Sequence, residues 1–123
     1  MLDNAKLIAF AATRDGVKAR DFYEGVLGLR VVSDDPFALA LDANGTMLRV
    51  QKVMEFTPPP FTALGWEVSD IRATVAALLA AGIAFQTYPG MGQDEQGIWR
   101  APSGAFVAWF KDPDGNTLSL TQM

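Results

Sequence analysis

The sequence contains neither cysteine nor histidine, and these two absences exclude a large part of protein chemistry. Without cysteine the chain can form no disulfide, no thiolate metal site and no cysteine nucleophile. Histidine is the commonest metal ligand and the commonest general base near neutral pH. Any function must therefore use carboxylates, hydroxyls, cations and aromatic rings.

Positive charge is scarce as well. Ten Lys and Arg stand against 14 Asp and Glu, a formal net charge of −4. Because nucleic acids are bound by clustered cations, we expect no nucleic-acid partner. The longest apolar run, from Thr74 to Phe85, is shorter than the roughly 20 residues that cross a bilayer. The first six residues lack the pattern of a signal peptide, so we expect a cytoplasmic protein with no membrane partner.

The length of 123 residues suits a single domain, and one order of elements occurs in it twice. In the first half, residues 5–53, Asp15 is placed to cap a helix and Gly28 to end it. Turn residues then separate three short strands. The predicted elements are a strand at 6–13, a helix at 15–28, and strands at about 29–33, 37–41 and 46–53.

The second half, residues 61–123, repeats this order after a linker at residues 54–60 that contains three consecutive prolines. Here Asp70 is the predicted cap and Gly82 the predicted helix end. A glycine- and acid-rich segment, residues 89–96, is predicted to be a mobile loop. The other predicted elements are a strand at 62–68, a helix at 70–81, and strands at about 84–88, 97–101, 106–111 and 117–122.

The turn before the last strand of each half is the most informative repeat. It reads Asp112-Pro113-Asp114-Gly115-Asn116 in the second half and Asp42-Ala43-Asn44-Gly45 in the first. Two copies of one strand–turn–strand unit indicate an internally duplicated α+β fold of two βαβββ modules. Since one such module leaves an apolar face and a strand edge open, the modules are expected to pair, within the chain or across a homodimer.

With these motifs the chain resembles the vicinal oxygen chelate superfamily, the group of glyoxalases, bleomycin resistance proteins and ring-cleaving dioxygenases. The resemblance rests on the helix that ends in Leu27-Gly28-Leu29, on Val68-Ser69-Asp70 with Ala81-Gly82, and on Trp109-Phe110-Lys111 before the last turn. It covers nearly the whole chain, residues 1–123 as one domain. It implies paired βαβββ modules whose mixed sheets curl around a concave cleft, where the enzymes of the group hold a divalent metal.

The four metal-ligand positions that the resemblance implies carry unsuitable residues. They map to Ile8, Arg49, Ala63 and Ser119. Zinc, nickel, iron and manganese want imidazole, carboxylate or thiolate donors, usually three or more. The neighbouring residues on each strand are no better, so the conclusion survives a one-residue shift. We therefore expect no metal and no cofactor.

Strand alternation predicts which residues line the cleft instead. The predicted lining combines apolar walls with a few polar groups, as small-molecule pockets do. Trp109 joins it if it pairs with Ser119 across the last hairpin, although core or dimer-interface packing is an alternative for Trp99 and Trp109. No residue is assigned a catalytic role. The predicted ligand-binding residues are Ile8, Phe10, Arg49, Gln51, Ala63, Glu67, Trp109, Ser119 and Thr121.

Three functions remain open from the sequence. The leading hypothesis is a metal-free member that binds a small organic ligand, of the sequestration or resistance type. An alternative is a metal-independent isomerase or lyase, with Glu67 as base and Arg49 stabilising negative charge; Arg49 can equally bind a ligand anion or pair with Glu67. The third is an interaction module without a ligand. Metal-dependent glyoxalase or dioxygenase chemistry is disfavoured, and a homodimer is expected.

Overall fold

The computed structural model describes residues 1–123 and divides into two compact units, Met1–Thr57 and Pro58–Met123. Each unit holds a four-stranded mixed sheet, in which one pair of strands is parallel and the others are antiparallel. The α+β fold that the turn repeat predicts, with the two mixed sheets that the family resemblance implies, is therefore confirmed. No helix of the chain is long and apolar enough to span a membrane.

The first unit follows the predicted order of elements. Its sheet runs β1-β4-β3-β2, with β1 parallel to β4. The elements are β1 (Ile8–Thr13), α1 (Gly16–Arg20), a π-helical segment (Asp21–Val26), β2 (Arg30–Asp34), β3 (Ala38–Ala43) and β4 (Thr46–Lys52).

One face of this sheet forms the core of the first unit. Leu39 pairs with Val50 and Leu41 pairs with Leu48, and all four side chains are buried. Burying each such side chain stabilises the fold by about 1.5–3 kcal/mol. The opposite face of the strands is left for other contacts.

The helical stretch that packs on this unit is α-helical for only its first five residues. The Asp15 carboxylate caps it by accepting a hydrogen bond from Lys18 N at 3.2 Å. From Asp21 onward the helix is wider, and Leu27 N donates to Phe22 O, five residues back. Phe22 and Tyr23, both in the wide segment, are buried. The helix predicted over 15–28 is therefore π-helical in its second part, and that part supplies two of the buried side chains.

The second unit differs from the prediction in its middle strands. Its sheet runs β5-β8-β7-β6, with β5 parallel to β8. The segment predicted as a strand at 84–88 forms only an isolated bridge between Phe85 and Phe110. The elements are β5 (Thr62–Glu67), α2 (Ile71–Ala80), β6 (Trp99–Arg100), β7 (Phe106–Lys111) and β8 (Thr117–Gln122).

A side-chain hydrogen bond explains why the predicted strand at 84–88 stops early. Gln86 N still donates to Trp109 O at 2.8 Å. Two residues later, Tyr88 N donates instead to the Gln93 side chain at 2.7 Å, so it is not free to continue a ladder. Gln93 also donates to Gln86 O and Gly97 O, at 3.0 and 2.8 Å. The predicted mobile loop is thus tied down by its own side chains.

The turn between β7 and β8 is buried, unlike its counterpart in the first unit. Asp112 accepts hydrogen bonds from Asp114 N, from Asn116 N and from Asn116 Nδ2, at 3.0, 2.9 and 2.8 Å. Gly115 takes φ +92°, which favours glycine. In the first unit Asp42 accepts from Gly45 N alone, at 2.9 Å and in an exposed position.

Candidate ligand-binding site

The predicted site residues of the first unit share the sheet face away from the buried leucines. Along this open face Ile8 pairs with Met47, and Phe10 pairs with Arg49. Ile8 and Phe10 are 46% and 52% exposed, which is high for apolar strand residues. Gln51 is exposed on the same face. The four predicted residues therefore lie together on an open, largely apolar surface.

Arg49 is the charged group of this first surface. It is half-buried and makes no ion pair within its own unit. Hydrogen bonds from the Phe37 and Ala38 N–H groups are the main cause that lowers the pKa of the Asp35 carboxyl. The positive charge of Arg49 lowers this pKa further. A half-buried guanidinium without a direct partner can bind an anionic or carbonyl oxygen.

The open face of the second unit carries the remaining predicted residues. Trp109 pairs with Ser119, which pairs in turn with Gly65, so these three form one row across the sheet. Glu67 and Thr121 belong to the next row. Ala63 is half-buried at an irregularity of β5 between Thr62 and Leu64. Trp66 is half-buried on the other face of the sheet.

Ser119 is not freely accessible on this face. It is only 7% exposed, and a Cβ built on Gly65 would lie 2.7 Å from its hydroxyl oxygen. No real Cβ contact is that short, so glycine at position 65 is what accommodates the Ser119 side chain. Together the two small residues form a low floor beside the large ring of Trp109.

Three aromatic rings, those of Tyr88, Trp99 and Trp109, form a cluster beside these small residues. The rings of Tyr88 and Trp109 meet edge to face with centroids 5.6 Å apart, and Trp99 lies 5.9 Å from Trp109. Both distances fall in the range where aromatic pairs attract each other. Trp109 is half-buried and Tyr88 is 38% exposed, so the cluster presents ring surface to the outside.

Two pockets adjoin the aromatic cluster within the second unit. The first, of about 330 Å³, is called the aromatic pocket here; its walls are Pro60, Phe61, Thr62, Tyr88, Met91, Trp109 and Thr117. The second, of about 420 Å³, is called the lysine pocket; its walls are Pro58, Pro59, Pro60, Gln86, Tyr88, Lys111, Gly115 and Thr117. They share three residues and so form neighbouring parts of one depression.

Sequence reasoning missed several residues of this depression. Lys111 had a usable signal, because it alternates with Trp109 on one strand and so shares its face. Phe61 and Met91 had none, since they lie outside the strands. Gln93 also had none: it holds Tyr88 through a backbone hydrogen bond that only the folded loop creates.

The residues present do not fit a metal ion. The four positions implied by the family resemblance offer two apolar side chains, one cation and one buried hydroxyl. No group of three or more His, Cys, Asp or Glu side chains that could hold a metal ion occurs in the chain. Divalent transition metals need such a donor set.

Comparison with known proteins shows which family and which solved structures this chain is similar to. The family model of the Glyoxalase/Bleomycin resistance protein/Dioxygenase superfamily matches residues 8–120. A member of that superfamily from Sphaerobacter thermophilus DSM 20745 is 22% identical, with a TM-score of 0.76 and full coverage of both chains (100% and 100%). None of the curated proteins matches the chain.

Two further solved structures share the fold. Lactoylglutathione lyase from Agrobacterium tumefaciens is 16% identical, with a TM-score of 0.75 over 97% of this chain and 93% of the other. TnmS3, an antibiotic binding protein from Streptomyces sp. CB03234, is 25% identical, with a TM-score of 0.73 over 99% and 98%. With the family model spanning both units, the chain belongs to the glyoxalase/bleomycin resistance protein/dioxygenase superfamily.

Proposed function

We propose that this chain binds a small organic molecule in the aromatic pocket of its second unit, without a metal ion. The observation that carries the proposal is the ring cluster of Tyr88, Trp109 and Trp99 beside a pocket of about 330 Å³. Aromatic rings bury large areas at little entropic cost and stack on flat ligands. A pocket of mostly apolar walls with a few polar groups is what small molecules bind.

Binding without turnover is the activity that the donor set favours. The solved structures that share this fold include both an enzyme, lactoylglutathione lyase, and a protein that binds an antibiotic, TnmS3. The fold alone therefore supports either activity. The chain has no histidine, and its residues at the metal positions do not fit a divalent ion. We accordingly propose sequestration of a ligand, as in a resistance protein.

A calorimetric titration with 2-naphthaleneethanol tests this proposal. Its 13 non-hydrogen atoms should give a Kd of about 1 mM or tighter, since drug-sized ligands gain roughly 0.3 kcal/mol per atom. Trp109→Leu should weaken binding about five- to tenfold, because it removes the central ring of the cluster. The matched control is Phe106→Leu, which removes a ring from the opposite face of the same strand.

Two results would refute the proposed site. One is an unchanged Kd in the Trp109 variant; the other is an equal loss in the Phe106 variant, which would indicate a general effect on folding. A stoichiometric divalent metal bound with micromolar affinity or better would contradict the metal-free part of the proposal, and titration with zinc, nickel, manganese and iron(II) measures it.

We also propose that the chain forms a homodimer that covers the open face of the first unit. Ile8, Phe10 and Met47 leave apolar surface exposed there, at 46%, 52% and 36%, and contiguous apolar surface usually marks an interface. Sedimentation at micromolar concentration should show a dimer, and Phe10→Glu should shift it toward the monomer. A wild-type monomer would contradict the dimer but leaves the ligand proposal intact.

A further inference from the structure

The alternation of β7 brings a cation next to the aromatic cluster. Trp109 pairs with Ser119 and Lys111 pairs with Thr117, so both side chains leave the same face of the sheet. Residues two positions apart on a strand are separated by about 7 Å along the strand. That is the length of a two-ring aromatic system with a short side chain, so a single ligand can contact both residues.

The two pockets of the second unit differ in chemistry. The aromatic pocket has the rings of Phe61, Tyr88 and Trp109 with the Met91 thioether. The lysine pocket has Lys111 and the Gln86 amide beside the proline run. Tyr88 and Thr117 belong to both. The depression thus has one apolar end and one polar, cationic end.

Lys111 is available for a ligand. It is exposed, and its ammonium group takes part in no ion pair or hydrogen bond. The neighbouring carboxylate of Asp112 is buried and accepts three hydrogen bonds from the turn. The turn thus holds the Asp112 carboxylate in place, and no ion pair joins it to Lys111.

The acidic group on the same face is too distant to reverse this preference. Glu67 pairs with Thr121, four residues along β8 from Thr117, where Lys111 pairs. Four residues of strand correspond to roughly 13 Å, which exceeds the Debye length of about 8 Å at physiological salt. Glu67 therefore contributes little to the electrostatic field at the lysine pocket.

We propose that the depression takes an amphiphilic aromatic acid, with its rings in the aromatic pocket and its carboxylate at Lys111. This inference rests on the proposed function and narrows its ligand class. A carboxylate that meets an exposed ammonium gains modest affinity, about three- to tenfold, because water screens the pair. The apolar contact with the rings supplies the rest of the affinity.

Three probes of nearly equal size test the inference: 2-naphthaleneacetate, 2-naphthaleneethanol and 2-naphthaleneethylamine. They are titrated by calorimetry into the wild type and into Lys111→Met, which keeps the apolar stem and removes the charge. Arg100→Met is the control, since it removes a like charge from the opposite face of the same sheet. The acid should bind about three- to tenfold more tightly than the alcohol, and the amine more weakly than both.

The preference for the acid should vanish in the Lys111 variant and persist in the Arg100 variant. It should also shrink at 1 M salt, where the Debye length is about 3 Å. Equal binding of acid and alcohol, tighter binding of the amine, or a preference that survives Lys111→Met would each overturn the inference while leaving the proposed function standing. If the alcohol and acid both fail to bind, the proposed function itself fails.

Discussion

Removing the Asp112 carboxylate should cost the second unit far more stability than removing its counterpart costs the first. In Asp112→Ala, three N–H donors that now point at the carboxylate lose their acceptor inside a buried turn. Each unsatisfied buried donor costs about 1–3 kcal/mol. Counting only the two backbone donors, which cannot rotate away, we expect a loss of about 4 kcal/mol, a large share of the 5–15 kcal/mol typical of a domain.

The duplicated turn supplies the matched control. Asp42→Ala removes one exposed hydrogen bond, from Gly45 N, and a weak contact with Arg30 at 3.5 Å. Such exposed contacts are worth about 1 kcal/mol together. The losses of stability caused by Asp112→Ala and Asp42→Ala should therefore differ by about 3 kcal/mol, because only the turn that contains Asp112 is buried.

Urea unfolding separates the two effects. All three tryptophans, Trp66, Trp99 and Trp109, belong to the second unit, so their fluorescence reports that unit alone. Far-ultraviolet circular dichroism reports both units. Asp112→Asn, which keeps an acceptor for the two backbone N–H groups but turns an amide toward Asn116, should lose about 2 kcal/mol. Equal losses in the two alanine variants would refute the reasoning.

Three further predictions follow from single contacts. Gly65→Ala should destabilise the second unit by about 1–3 kcal/mol through its clash with Ser119, and Ser119→Ala in the same chain should restore most of that loss, as a double-mutant cycle would measure. Gln93→Leu leaves three backbone groups near Tyr88 without a partner. We expect a loss of about 1–3 kcal/mol in the free energy of unfolding and weaker binding of 2-naphthaleneethanol. Unchanged binding would contradict the inference that Gln93 positions Tyr88. The Lys52 hydrogen bond holds the pKa of Asp34 below its ordinary 3.8, so their pairing stabilises the first unit above about pH 4 and is lost as the pH falls through the lowered pKa. Asp34→Asn should thus destabilise at pH 7, and this difference should narrow toward pH 2 in circular dichroism; a constant difference would count against it.

Local rules were enough to predict most of the fold. Asp15 and Asp70 cap their helices through side-chain hydrogen bonds, as the sequence indicates. The turn glycines at 45 and 115 both take positive φ. Alternation along β8 places Ser119 on the same face as Trp109. These features depend on residues close in sequence, and for that reason one sequence reveals them.

The parts that sequence reasoning missed depend on contacts that exist only in the folded chain. The strand predicted at 84–88 gives way because Gln93, five residues further on, takes the Tyr88 N–H. The space for the Ser119 side chain depends on Gly65, which is adjacent only after β5 and β8 pair. The walls of the aromatic pocket come from a loop, from three strands and from the segment before β5. Hydrophobic periodicity does not predict contacts of this kind.

The π-helical segment explains a small mismatch between the two halves of the chain. Gly28 follows the cap residue Asp15 by 13 positions, whereas Gly82 follows Asp70 by 12. Only the first of these helices contains a wide turn, at Asp21–Val26, and a wide turn is how a helix absorbs one additional residue without losing its ends. Within the helical segments the two halves thus differ in length by one residue, and an alignment of these segments places its gap inside that turn.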